Sequence, residues 1–145
     1  MIYLAYVTPK VEFADKSTKE ILLSPEEHLE YSRFNVPKRR VEWLTSRWIS
    51  KMLIHSIPEY QSYSLDLILV KKKLSGRPFI NLGGGEAEIG SFSLSHSNGA
   101  VFCGFSQDSE LLFGCDLEWI EPRSPEFLKD YFTTSELEWI TQQPE

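Results

Sequence analysis

The segment between Pro37 and Pro58 leaves the chain few alternatives: it reads as one long helix around which the rest must pack. Val41, Leu44, Trp48 and Met52 recur at spacings of three, four and four and form a single apolar stripe. Arg40, Arg47 and Lys51 fall on a neighbouring face, because seven and eleven residues are close to whole numbers of turns. Periodicity leaves two readings of that basic face open, solvated or anion-binding. A shorter helix precedes it and runs to about Phe34. Ser24 caps its start, Pro25 fits its first turn, and Glu27 completes a capping box. With 41% hydrophobic and 13% aromatic residues in 145, the chain can bury such a pair in a packed core.

Around the helices the pattern turns to strands. Residues 1–7 and 64–71 read as strands, and Ser75-Gly76-Arg77-Pro78 reads as a turn into a short strand at Phe79 and Ile80. Residues 92–95, 100–105 and 111–118 are strand-like, the last two joined by a polar turn at residues 107–110. Residues 125–131 and 135–141 read as further helices. Gly83-Gly84-Gly85 lacks the Lys-Ser/Thr pair and the following helix of a phosphate loop, and reads as a flexible loop. The order is strand, helices, strands, helices, which predicts an α+β fold.

Charge and composition remove several function classes. Fifteen basic against twenty-one acidic residues give a net charge of −6, which argues against nucleic acid as a partner. The longest apolar run, residues 49–57, is broken by Lys51 and His55, so no membrane span is expected. The N-terminus lacks a basic start and a cleavage site. Cys103 and Cys115 are therefore expected to stay reduced, and the chain to be cytoplasmic. They and the scattered His28, His55 and His96 give no zinc spacing. The charge is also segregated. Residues 33–51 carry six basic side chains against Glu42 alone, and Lys71, Lys72, Lys73 and Arg77 add four more, whereas ten carboxylates from Asp108 onward face only Arg123 and Lys129. A basic front and an acidic rear suit an anionic ligand that also carries a metal, although a solvated asymmetry gives the same counts.

Asp116 and Glu118 are the sharpest candidates for chemistry. In Gly114-Cys115-Asp116-Leu117-Glu118 alternate side chains share a face, which puts two carboxylates on one side and Cys115 and Leu117 on the other. Oxygen-only ligands favour Mg²⁺, which keeps waters and accepts phosphate oxygens; a solvent-facing acidic pair has the same spacing. Ser93-Leu94-Ser95-His96-Ser97 follows a strand and enters a turn. Adjacent residues on an extended chain point apart and no Gly-x-Ser-x-Gly elbow is present, so a hydrolase is disfavoured. Hydroxyls and imidazole there suit phosphate oxygens, or simply a polar turn.

Four segments in order carry a family resemblance: Ser75-Gly76-Arg77-Pro78-Phe79, Phe92-Ser93-Leu94-Ser95-His96-Ser97, Gly114-Cys115-Asp116-Leu117-Glu118 and Phe132-Thr133-Thr134-Ser135-Glu136. Together they resemble the 4′-phosphopantetheinyl transferases of the surfactin-synthetase type, with their Gly-Lys-Pro, Asn/Ser-x-Ser-His-Ser, Gly-Ile-Asp-Ile-Glu and Phe-x-x-x-Glu motifs. The helix pair of residues 24–53, with Arg47, resembles the family's N-terminal region. The resemblance implies transfer of phosphopantetheine from coenzyme A to a serine of an acyl or peptidyl carrier protein. It makes Asp116 and Glu118 the catalytic Mg²⁺ ligands. It places Arg47, Lys72, Arg77, Ser95 and His96 at the coenzyme, with Arg77 where the family usually has lysine.

It also implies that the chain is the first half of a pseudo-twofold α+β fold. Residues 1–108 form that half, and residues 109–145 begin a second, truncated one. Two departures accompany it. Glu30 stands where a basic residue is common, and no Trp-x-x-Lys-Glu-Ala segment, which supplies a third acid, follows Trp139. The expectation is a chain without turnover by itself, forming a homodimer or joining a C-terminal partner chain. The competing readings are a non-catalytic coenzyme A or nucleotide-binding module and an interaction domain needing a partner.

Overall fold

The computed structural model describes residues 1–8, 16–83, 85 and 87–142. Gly84, the middle of the three-glycine loop, lies outside them. The elements run β1 (Tyr3–Val7), α1 (Lys16–Leu22), α2 (Pro25–Ser32), α3 (Pro37–His55), β2 (Ile68–Lys72), β3 (Pro78–Leu82), β4 (Glu88–Ile89), β5 (Ser91–Ser97), β6 (Ala100–Ser106), α4 (Pro125–Tyr131) and α5 (Thr134–Thr141). Among the described residues two antiparallel three-stranded sheets form, in the orders β1-β6-β5 and β2-β3-β4. The fold is α+β.

Local chemistry accounts for most boundaries. Ser24 Oγ accepts from the Glu27 amide, and the Glu27 carboxylate accepts from the Ser24 amide, so the capping box forms and α2 starts at Pro25. Between β5 and β6 the two-residue turn Asn98-Gly99 has positive φ at both positions, 50° and 80°. This is the tight-hairpin geometry that Asn-Gly tolerates with little strain. It sets the register Ser95↔Phe102 and His96↔Val101. The strand expected at residues 64–71 begins later, at Ile68, because Leu65–Leu67 closes into a 3-10 turn.

The core forms where α3 meets both sheets. Ile49, Leu53 and Ile54 pack with Ile68, Val70 and Ile80 of the second sheet and with Phe92, Val101, Cys103 and Phe105 of the first. Coverage from several sides widens the buried arc of α3 beyond the predicted stripe. Leu44 is buried as expected, while Val41 and Met52 are exposed. Within that arc Ser46 and Ser50 are satisfied by donating to the carbonyls of Glu42 and Ser46, at 2.8 and 2.7 Å. Arg47 and Lys51, on the face that periodicity left as solvated or anion-binding, are buried too. Neither side chain is solvated.

Residues 111–118 correct a second expectation. They keep the alternation of a strand, half-buried and exposed in turn, but join neither sheet. This segment crosses the face of the first sheet as a strap. Its amides find serine hydroxyls instead of a ladder: Cys115 N donates to Ser93 Oγ at 2.8 Å and Leu117 N to Ser95 Oγ at 3.1 Å. Gly104 makes room beneath it, since a Cβ there would stand 2.8 Å from the Phe113 ring and 3.0 Å from Cys115 Sγ. No helix among the described residues is long and apolar enough to cross a membrane.

Candidate functional site

The capping residue Glu27 does more than start a helix. Its Oε2 lies 2.5 Å from Lys51 Nζ, which also donates to the Leu22 carbonyl at 2.7 Å, and Lys51 is fully buried. Its Oε1 lies 3.4 Å from Arg47 Nε without forming a hydrogen bond. The Arg47 guanidinium lies 4.4 Å from the centre of the Trp43 ring, and its Nη2 is 3.6 Å from Glu30 Oε2. Burial pushes both cations below their ordinary pKa; Glu30 and Glu27 oppose this at Arg47, and mainly Glu27 does so at Lys51. An arginine stays charged even so.

Arg47 is shared by two adjoining cavities. One, of about 340 Å³, is lined among others by Glu30, Arg39, Trp43, Arg47, Lys72 and His96. The other, of about 210 Å³, adds Glu26, Glu27 and Lys71. Arg47, Lys72 and His96 therefore come together, over an indole floor and beside carboxylates that cancel part of their charge. Arg77 does not join them. It pairs with Glu88, which also holds Lys73 Nζ at 2.6 Å. Burial alone raises the Glu88 pKa, but the hydrogen bonds and charges of Lys73 and Arg77 outweigh it and hold that carboxyl below its ordinary value. Asn81, almost fully buried on β3, braces the chain just before Glu88. Its Nδ2 donates to the Gly85 and Ala87 carbonyls at 2.6 and 2.8 Å.

Ser95 and Asp116 occupy the other side of the sheet. Directly opposite residues of an antiparallel pair share a face, so Leu94 and His96 lie with Cys103 and Val101 on the α3 side. Ser93 and Ser95 lie with Gly104 and Phe102 under the strap. Ser95 Oγ donates to Asp116 Oδ1 at 3.2 Å, and the same oxygen accepts from Leu117 N at 2.9 Å. Asp116 and Glu118 are both exposed on the strap. No group of three or more metal-ligating side chains assembles among the described residues. Two exposed carboxylates nevertheless suit Mg²⁺, which is commonly held by one or two of them while waters and substrate phosphates complete its shell.

No family model matches the sequence, and no curated protein matches it. Solved structures do. Holo-[acyl-carrier-protein] synthase from Neisseria meningitidis superposes with a TM-score of 0.53 at 19% identity, over 71% of this chain and 93% of its own. Holo-ACP-synthase from Plasmodium yoelii gives 0.56 at 18% identity, over 71% and 89%. The chain shares the holo-acyl-carrier-protein synthase fold.

Within that fold, sequence reasoning missed the Glu27–Lys51 pair, the Trp43 and Arg39 walls of the cavity, and the Glu88 counter-charge. A signal existed for the first: Lys51 sits between Ile49 and Leu53-Ile54, where a surface lysine is out of place. Glu88 left no such trace, since its partners lie eleven and fifteen residues away across a strand pair.

Proposed function

We propose that this chain is a phosphopantetheinyl transferase, acting on coenzyme A and the serine of a carrier protein. The serine oxygen attacks the pantetheine-side phosphorus of the pyrophosphate, and the bond from that phosphorus to the bridging oxygen breaks. The serine proton passes to solvent, and adenosine 3′,5′-bisphosphate leaves. The observation that most supports this reading is the pairing of the Arg47–Lys72–His96 cavity with the Asp116–Glu118 strap on opposite faces of β5, inside this fold. The strand is an outer strand of its sheet, and an extended ligand would have to pass its edge to meet both faces.

In this reading the cavity side, in residues 1–108, binds the anionic end of the coenzyme. Lys72 and Arg47 supply charge, His96 a hydrogen bond, and Trp43 an apolar wall. Asp116 and Glu118, in residues 109–145, would hold Mg²⁺, which offsets charge on the pyrophosphate when bound. Arg77 reaches a phosphate by exchanging Glu88 for it. The surfactin-synthetase-type subtype belongs to the same proposal.

Calorimetry with coenzyme A, followed by intact-mass analysis of an apo carrier protein, tests the proposal. The expected result is coenzyme A binding by the chain alone, and a mass gain of one phosphopantetheine when a partner chain supplies a third metal-binding acid. Absence of coenzyme A binding overturns it. Binding without transfer even in the presence of such a partner favours a coenzyme-binding module instead, the alternative supported by an acidic site of two carboxylates among the described residues.

A further inference from the structure

The strap hangs from the sheet by hydroxyl groups. An ordinary added strand would pair its amides with backbone carbonyls of a neighbour along the sheet edge. Residues 113–117 instead lie over the face, and two side chains reach up to them. Ser93 Oγ accepts from Cys115 N, and Ser95 Oγ accepts from Leu117 N. The Ser95 hydroxyl proton is left for Asp116, and its bond to Oδ1 joins the one Leu117 N makes to that atom. Asp116 Oδ1 thus has two donors, while Oδ2 has no protein partner among the described residues. One carboxylate oxygen is pinned and the other is presented.

We infer that Ser95, supported by Ser93, is a positioning residue that holds the strap and aims the Asp116 carboxylate, and is not a contact to the coenzyme's phosphates. Two features carry this. Ser95 and His96 face opposite sides of β5, so Ser95 does not line the cavity that gathers His96, Lys72 and Arg47. The single proton of the Ser95 hydroxyl is also already committed to Asp116, with one lone pair on the Leu117 amide, so it has no donor left for a phosphate oxygen. The inference rests on the transferase reading for what Asp116 is for, but not for how Asp116 is held.

The full chain serves for the test, with Ser95→Ala, Ser95→Thr, Ser93→Ala and, as a control on the same strand face, Ser97→Ala. Two readouts are taken: hydrogen exchange at the Cys115 and Leu117 amides, and coenzyme A affinity in EDTA and in Mg²⁺. In Ser95→Ala, Leu117 exchange should accelerate several-fold, up to about tenfold, because the amide keeps only its bond to an Asp116 carboxylate that has itself lost the Ser95 donor. Coenzyme A affinity in EDTA should stay within about twofold of wild type while the gain conferred by Mg²⁺ is lost. Ser95→Thr, which keeps the hydroxyl, should restore both, and Ser93→Ala should accelerate Cys115. Ser97→Ala should change neither readout.

Equal weakening of coenzyme A binding with and without Mg²⁺ would make Ser95 a phosphate contact and overturn the inference. Unchanged Leu117 exchange in Ser95→Ala would overturn it as well. If the alanine variant does not fold, Ser95→Cys, which preserves size with a poorer donor and acceptor, takes its place. A wild-type chain that binds no coenzyme A overturns the transferase reading, while Leu117 exchange still decides whether Ser95 holds the strap. A wild type that binds coenzyme A with no gain from Mg²⁺ removes the role given to Asp116 and the inference with it.

Discussion

Replacing Glu27 by glutamine keeps the shape of the side chain and an oxygen for the Ser24 amide, but it removes the charge facing two buried cations. Lys51, fully buried, would be left with the Leu22 carbonyl and a neutral amide. Arg47 would keep Glu30, whose side chain is half exposed. Breaking a buried pair by removing one partner costs about 3–5 kcal/mol, against a total stability of about 5–15 kcal/mol. At about 2–4 °C per kcal/mol for a chain of this size, Tm should fall by roughly 10 °C. Lys51→Met leaves the carboxylate its Ser24 amide and Arg47, so it costs less, and the double variant should cost about 1–3 kcal/mol less than the sum of the singles. The pH dependence adds a sign. Burial lowers the Lys51 pKa from 10.5, so above the lowered value the unfolded chain holds the extra proton. Stability should therefore rise with pH between that value and 10.5, and the rise should vanish in Lys51→Met. Urea unfolding followed by circular dichroism measures all of this. A Glu27→Gln cost under about 0.5 kcal/mol, the range of ordinary surface changes, would refute the claim that these charges are buried together.

Two further outcomes follow from local geometry. Glu88 has its pKa held below 4.5, so its contribution is present above that value and lost as pH falls through the depressed one; Glu88→Gln should cost about 0.5–1 kcal/mol at neutral pH, with the gap to wild type closing in acid. A pH-independent gap in urea unfolding would count against the ion-pair cluster. Burial raises the pKa of both thiols, but Cys103 is buried in the core and pushed up to about 12 while Cys115 of the strap is only half-buried, so a thiol reagent should label Cys115 first, and Gly104→Ala, whose Cβ meets Cys115 Sγ at 3.0 Å, should speed that labelling. Equal labelling of the two thiols would show that the strap does not lie where Gly104 places it.

Much of the fold was legible because its cues are local. The Ser24–Glu27 box, Pro37 and the run of apolar spacings reported their helices without reference to anything distant. Residues 111–118 show where locality fails. Alternation of side chains reports an extended backbone, and the strap is extended, but whether its amides meet carbonyls or serine hydroxyls depends on Gly104 and β5 beneath it. Lys51 shows the same limit. A lysine is exposed by default, and the carboxylate that permits its burial lies twenty-four residues earlier. For the site, period-two alternation already set Ser95 and His96 on opposite faces. What they face could come only from the packing of α3 on one side and the strap on the other.

That packing changes what the basic front of the sequence can do. Six cations stand in residues 33–51, but Arg47 is matched by Glu27 and Glu30, and Glu30 and Glu42 line the same cavity as Arg39 and Lys72. The attraction for an anion is therefore partly cancelled from within, and Glu30 is the carboxylate easiest to remove. Glutamine at this position still accepts from the Trp43 indole, which donates to Oε1 at 3.0 Å, so the wall stays in place. For a phosphate about 6 Å from the carboxylate, lifting the repulsion is worth about 0.7 kcal/mol in water and about 2.8 kcal/mol at an effective dielectric of 20. The side chain is half exposed, so the lower part of that range applies, about 1 kcal/mol or fivefold in affinity. Glu30→Gln should strengthen coenzyme A binding by that factor in calorimetry with EDTA present. Glu59→Gln, which makes the same change in net charge at a residue lining neither cavity, should not. Equal affinities in Glu30→Gln and wild type would mean that the anionic end of the ligand does not sit beside Arg47.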